Sequence, residues 1–313
     1  MKILVTGAGG FIGREVLRRL AAVPAARVIA VDVNLAGFVA TPALALLRGD
    51  FADAGVLDTA IGDGIDALIH LAAVPGGAAE VDPASSRRVN VDATLALLAA
   101  SARGGNRPRV VYASTIAVYG DSLPPGGVND ATPVAPRMIY GAHKAMVEVM
   151  VAALTRRGQI DGVSLRLPGI VARPQGGVGH KSAFMSEVFH VLQEGRPFVS
   201  PVSPGGPMWL MSVTRCAYNL VHAVTTADLS GLPSNRAVAL PAQRVTMGAL
   251  VESIARQTRA APSTVTYGPD ALLEAAFAAQ PPLSTPAAEA AGFADDGDVD
   301  TLVARALRAI ALG

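Results

Sequence analysis

The sequence predicts an α/β fold: a doubly wound parallel sheet with helices on both faces, joined to a smaller C-terminal region. Three observations predict it. Short apolar runs alternate with amphipathic or Ala-rich helical stretches through residue 170. Runs such as ILVT and RVVYAS are apolar throughout, as strands covered on both faces should be. A glycine-rich turn, TGAGGFIG at residues 6–13, links the first run to the first helical stretch.

The elements follow in order. The first strand spans residues 3–6 and ends at the turn, where Gly7, Gly10 and Gly13 recur every third position. Glycine lets the chain bend sharply and lets a phosphate approach the main-chain N–H groups of a helix N-terminus, here Phe11 and Ile12. The first gap is one residue longer than in the common dinucleotide fingerprint, and an ordinary tight strand–helix turn is the competing reading. A helix at 11–23 leads to a strand at 28–32 that ends on Asp32. An acidic side chain there accepts hydrogen bonds from ribose hydroxyls and repels a 2′-phosphate. The next residues, VNLA, supply no cation for such a phosphate, so NAD is favoured over NADP.

A weaker strand is expected at 46–50 and another at 67–71, where His70 reads as a core histidine. A helix at 85–103 precedes the strand at 110–114, which ends on Ser114 and Thr115. Active sites of open parallel sheets collect at such ends, although either hydroxyl also serves as a strand-end cap. A helix at 140–157 and a strand at 163–167 follow. After Pro168 the rhythm changes. Residues 169–208 are rich in Gly and Pro around one helical stretch at 184–194. Helices at 213–226, 247–258 and 270–279, an extended piece at 237–240 and a Pro/Ala-rich connection at 281–290 complete the reading.

The third chemical motif lies in YGAHK. Tyr140 and Lys144 are four residues apart, so they share a helix face one turn apart. The chain holds 23 arginines and three lysines, and one of the three stands here. A phenol titrates near pH 10, and a neighbouring ammonium moves that value down, toward use as an acid or base. Lysine also offers a compact charge with rotatable donors for ribose hydroxyls. A solvated pair on a helix face is the plainer alternative.

Composition excludes other classes. Of 313 residues, 51% are hydrophobic and the net charge is +1, which gives no electrostatic case for a nucleic-acid partner. Aromatics are 4%, too few for a base-stacking surface. No apolar run reaches the length of a membrane span, and the lone cysteine, Cys216, fits a reducing compartment. A cytoplasmic location is expected. His143, His190 and His222 show no metal-type spacing, and no metal is expected.

In this order, TGAGGFIG, VD, GD, HLAA, RVNV, YASTIAVYG and YGAHK resemble the extended short-chain dehydrogenase/reductases, the NAD-dependent epimerase/dehydratase group. The resemblance implies a Rossmann domain at 1–170 that binds NAD, and a substrate domain at 171–313 with some segments returning to the sheet. It implies Tyr140 as catalytic acid/base, Lys144 as ribose ligand and tyrosine tuner, and Thr115 as the substrate-orienting hydroxyl, with Ser114 beside it in the catalytic set. It sets Asp50 and Phe51 at the adenine and Leu71, Ala72 and Ala73 along the cofactor, with Pro168 and Ile170 beyond them. Asn90 would be structural beside the cofactor. At Ala73 many members carry glycine.

Dehydration is disfavoured, because the strand end STIA carries no carboxylate. The R-D-[FY]-[IV]-H-V-x-D pattern usual in sugar-nucleotide enzymes is also missing. The LRLP…RP segment and the Trp209–Ser212–Arg215 pattern look similar to the branch that oxidises D-erythronate, a four-carbon sugar acid. The expectation is NAD-dependent oxidation of a secondary hydroxyl on a small sugar acid. A nucleotide-sugar epimerase with retained NAD and a non-catalytic NAD sensor are the rivals. Lys181 with His180, and then Arg215, are candidates for the acid's carboxylate, and Trp209 for the substrate wall or the core. Apolar residues beyond one stripe on the helices at 85–103 and 140–157, such as Met146, Val149 and Met150, suggest a homodimer.

Overall fold

The computed structural model describes residues 1–103, 105–175 and 182–312. Among the described residues twelve strands and twelve α-helices follow one another, with differences from the expected order at specific points. The central strands are β1 (Lys2–Thr6), β2 (Arg27–Asp32), β3 (Leu44–Arg48), β4 (Ala67–His70), β5 (Arg109–Thr115) and β6 (Asp161–Leu167). The later strands are β7 (Gly169–Val171), β8 (Phe198–Ser200), β9 (Pro207–Ser212), β10 (Ala237–Ala239), β11 (Gln243–Thr246) and β12 (Val265–Tyr267). The helices are α1 (Phe11–Leu20), α2 (Ala54–Ile61), α3 (Gly76–Val81), α4 (Pro83–Arg87), α5 (Thr94–Ala102) and α6 (Ile139–Arg156). They continue as α7 (Phe184–Gln193), α8 (Val213–Thr225), α9 (Met247–Thr258), α10 (Ala271–Phe277), α11 (Pro286–Ala290) and α12 (Val299–Leu312).

Seven parallel strands form the central sheet in the order β10-β6-β5-β4-β1-β2-β3. Strand alternation divides its core. Ile3 and Val5 face a cluster that includes Val16, Leu20, Cys216 and Leu220 of α1 and α8. Leu4 faces the opposite side, with Leu57, Leu97 and Val147 of α2, α5 and α6. The strand order reverses between β1 and β4, which opens a crevice at the C-terminal ends of the strands. A second core gathers α7, α9 and α12 around the small sheets β11-β9-β7 and β12-β8, with Val188, Phe189, Leu250, Ile254 and Leu302 buried in it. No helix among the described residues is long and apolar enough to cross a membrane.

Several expectations are corrected. The weak strand lies at Leu44–Arg48, two residues earlier, because its register against β2 pairs Val28 with Leu44. The helix expected at 85–103 is α4, a π-helical stretch Arg88–Ala93, and α5. That stretch carries Asn90, whose side chain holds Val74 on the neighbouring loop. The connection at 281–290 pairs Leu283 with Val128 and then forms α11. Helix α12 had no counterpart in the sequence reading, nor had α2, which Asp53 caps by accepting from the Gly55 N–H at 2.8 Å.

Candidate functional site

The β1–α1 turn is built from main chain. Gly7 has φ of +71°, and a Cβ on it would lie 2.6 Å from the Ala72 nitrogen. Only glycine lets the β4 loop pass so close. A Cβ on Gly13 would meet the Gly7 oxygen at 2.2 Å, so α1 packs hard against the turn. Gly10 differs, since its missing Cβ faces only the Gly7 oxygen at 3.3 Å. It is the N-cap of α1 without a side-chain cap, and Gly10, Phe11 and Ile12 line a cavity of about 510 Å³. Uncapped N–H groups with the positive end of a helix dipole form a cradle for a phosphate.

Asp32 braces this turn. Its Oδ2 accepts from Gly9 N–H at 2.9 Å and its Oδ1 from Asn34 N–H at 2.9 Å. In space the following loop is not free of cations. Arg14 donates to the Gly9 and Ala36 carbonyls and lies over the Phe38 ring, and Arg48 donates to the Val33 carbonyl. Reading only the four residues after Asp32 missed both, Arg14 before it and Arg48 sixteen positions beyond.

Tyr140 and Lys144 of α6 both line the cavity. Lys144 is 2% exposed and its Nζ donates to the Ala113 carbonyl at 2.7 Å. It lies 4.7 Å from the Tyr112 ring and 5.6 Å from the Tyr140 ring. Burial lowers its pKa to about 7, against the pull of Glu148. Tyr140 does not follow the expected downward shift. Burial raises its phenol to about 12, and Arg173 is the cation that opposes the rise. A hydroxyl in a largely apolar cavity holds its proton because the phenolate would be poorly solvated.

Ser114 and Thr115 also line the cavity, but they differ. Ser114 is 2% exposed and donates to Glu148 Oε1 at 2.6 Å. Glu148 in turn receives two hydrogen bonds from Arg166, at 3.0 and 2.7 Å, and Arg166 donates to the Tyr119 hydroxyl at 3.0 Å. The Ser114 proton is therefore committed behind the site. Thr115 is half-buried and its Oγ1 accepts from the Ala117 N–H at 3.1 Å, which leaves its proton for a ligand.

The remaining residues separate. Leu71, Ala73, Pro168 and Ile170 line the cavity, and Ala72 backs onto Gly7. Asn90 is 1% exposed and bonds both main-chain groups of Val74, a structural clamp. Asp50 pairs with Arg88, and Phe51 packs edge-on against His70; neither lines this cavity. His70 bridges the Thr6 and Thr94 hydroxyls in the core, and burial lowers its pKa to about 3. Trp209 touches the cavity but is 2% exposed, with its indole N–H on the Pro281 carbonyl. Arg215 does not line the cavity; it lies over the Tyr218 ring one helical turn away, because α8 turns that face toward α1. His180 and Lys181 lie outside the described residues. Sequence reasoning passed over Arg173, which lines the cavity just after β7. Its position in VARP, directly after a strand continuing from β6, was the available signal.

The profile of the NAD dependent epimerase/dehydratase family matches residues 3–207. A D-erythronate dehydrogenase of Cupriavidus necator is 34% identical over 97% of both chains. A D-erythronate dehydrogenase of Haemophilus influenzae is 30% identical over 81% of both. Among solved structures, a nucleoside-diphosphate-sugar epimerase of Agrobacterium tumefaciens superposes with a TM-score of 0.85 at 27% identity, covering 97% of this chain and 92% of that one.

Proposed function

The chain belongs to the NAD dependent epimerase/dehydratase family and is an NAD-dependent oxidoreductase; from that premise we propose that it oxidises a secondary hydroxyl of a small sugar acid, D-erythronate first among them. One observation carries the chemistry: Tyr140, Lys144 and Thr115 share one cavity with the glycine turn at the N-terminus of α1. The choice of a sugar acid rests on the two D-erythronate dehydrogenases that resemble most of the chain.

The residues fit NAD. The uncapped N–H groups of Phe11 and Ile12 and the left-handed Gly7 suit its pyrophosphate, and Asp32 suits its adenosine ribose. Asp50 and Phe51 would flank the adenine, and Leu71, Ala73, Pro168 and Ile170 would line the path toward Lys144 at the second ribose. When bound, NAD supplies the hydride acceptor.

Tyr140, as the phenolate formed when its own proton leaves to solvent, then takes the proton of the substrate hydroxyl, and Thr115 orients that oxygen with its free proton. Ser114 instead holds Glu148, and so braces the end of β5 beneath Lys144. Tyr140 is a neutral phenol in the free chain, so positive charge beside it favours its action as a base. Arg173 supplies part of that charge. In this reading residues 1–170 carry the cofactor, and most of 171–313 carries the substrate.

The protein would work in the cytoplasm as a homodimer. Met146, Val149 and Met150 are exposed on α6 at 56%, 68% and 38%, an apolar face that a second copy would cover. A monomeric mass at micromolar concentration, by light scattering, would sink the dimer.

Aldonic acids and UDP-sugars with NAD, followed at the absorbance of NADH, test the activity. Net NADH from an acid supports the reading. Conversion of a UDP-sugar without NADH supports an epimerase that keeps its cofactor.

A further inference from the structure

We infer that Arg173 is the residue that reads the substrate's carboxylate, and so makes the site selective for acids over neutral polyols. This rests on the sugar-acid reading above.

Among the described residues that line the cavity, Lys144 and Arg173 are the only lysine or arginine side chains. Lys144 is committed to the Ala113 carbonyl and stands beneath Tyr140 at the sheet. The one acidic residue among that lining, Asp121, is paired with Arg137 at 2.9 Å. Arg173 has no carboxylate within salt-bridge distance and no side-chain hydrogen bond among the described residues. Yet it is half-buried rather than extended into solvent, and its charge acts on Tyr140. A carboxylate entering the cavity needs a charged partner, and this half-buried guanidinium, with no carboxylate on it among the described residues, can take one bidentately.

Its backbone is held in place. Arg173 follows β7, which pairs with β9, and its carbonyl receives the His190 ring Nε2 at 2.7 Å. The side chain therefore starts from a fixed point between the central sheet and the second core. Arginine's planar fork suits this task better than a lysine's point charge, because it fixes the orientation of the acid as well as its charge. Arg173 and Tyr140 line the same cavity, so an acid seated on Arg173 can present its carbinol carbons to Tyr140. A neutral polyol of equal length lacks that anchor.

The test uses the full chain with Arg173→Met and Arg173→Lys, on D-erythronate and on its neutral amide. Two quantities are read: kcat/KM for each compound, and the Kd of each on the NADH-loaded protein by calorimetry. The acid-to-amide ratio should fall roughly 10- to 100-fold in Arg173→Met by both measures, as for loss of a charge-assisted pair. Arg173→Lys should recover part of it. The Kd for NADH, unchanged within about twofold, establishes that the variants fold. An unchanged ratio overturns the assignment. Equal losses for acid and amide, with the ascending limb of the pH profile moved to higher pH, overturn it too, since Arg173 would then act on Tyr140 alone. If wild type itself neither binds nor oxidises the acid, the sugar-acid reading fails first and takes this assignment with it.

Discussion

The cavity has two walls of unlike construction. The wall on the central sheet is made largely of main chain: the uncapped turn of α1, the β4 loop held by Asn90, and the ends of β5 and β6. The wall contributed after residue 170 works through single side chains, with Arg173, Met185, Trp209 and Phe277 on it. The contrast teaches where specificity can change. A main-chain cradle suits a ligand that never varies, because any residue with the same backbone serves it. A wall of side chains can be retuned one substitution at a time while the sheet stays intact. Tyr140 and Lys144 stand at the seam, on a helix that packs against β5 and β6.

The seam should give the largest effects. Tyr140→Phe removes only the acid/base oxygen, so kcat should fall by roughly 10²- to 10⁴-fold while NAD binding is nearly unchanged. Turnover near wild type would break the account of the seam. Lys144→Arg should lower kcat/KM by roughly 10- to 100-fold although charge is kept. The site is 2% exposed and shaped around one Nζ on the Ala113 carbonyl, and the lysine titrates near pH 7 where arginine cannot. Normal kinetics and an unmoved pH profile in that variant would show that any cation serves.

The sheet wall should respond in the nucleotide alone. Wild type should prefer NAD to NADP by at least about tenfold in kcat/KM, about 1.4 kcal/mol, because Asp32 repels a 2′-phosphate. Asp32→Ala should erase that preference, with Arg14 and Arg48 already beside the loop. A preference that survives the substitution would move the discrimination elsewhere.

The remaining effect lies behind that wall, touches no catalytic step and concerns stability. Burial holds the folded pKa of His70 near 3, below the unfolded value of 6.5. A histidine lowered on folding gives its full contribution above pH 6.5 and loses it as pH falls from 6.5 toward 3. Its share is about 1.4 kcal/mol per pH unit, or about 2 kcal/mol between pH 7 and pH 5. Urea unfolding at both pH values should show a shallower dependence in His70→Gln. An identical dependence would mean that other groups set the acid limit.

The sheet wall was legible in the sequence because its requirements are local. Glycine spacing, an acid at a strand end and a Tyr/Lys pair one turn apart are each written within a dozen residues. The side-chain wall was not legible, because it forms from tertiary pairing. Arg173 acquires its setting from β7 lying beside β9, some forty residues on, and from His190 on α7. The cations near Asp32 come from either side of it in the chain, Arg14 before and Arg48 after. The expected fall of the Tyr140 pKa failed for a related reason. Spacing reveals the neighbouring ammonium but not the burial that outweighs it. The resemblance put Thr115 ahead of Ser114 as the orienting hydroxyl without a physical reason, and the Glu148–Arg166 pair behind β5 is the difference between them. The Ala-rich stretch that forms α12 gave no chemical signal, although it closes the second core with Leu302 and Val303.

The central claim is that Tyr140 serves a net oxidation, with the sugar acid losing a hydride for good. D-erythronate deuterated at its carbinol carbons, turned over with unlabelled NAD, tests this most directly. The account predicts deuterium in NADH released over many turnovers, with its release slowed roughly 10²- to 10⁴-fold in Tyr140→Phe. Unlabelled NADH, or label found only in a sugar product with the nucleotide still bound, would contradict it.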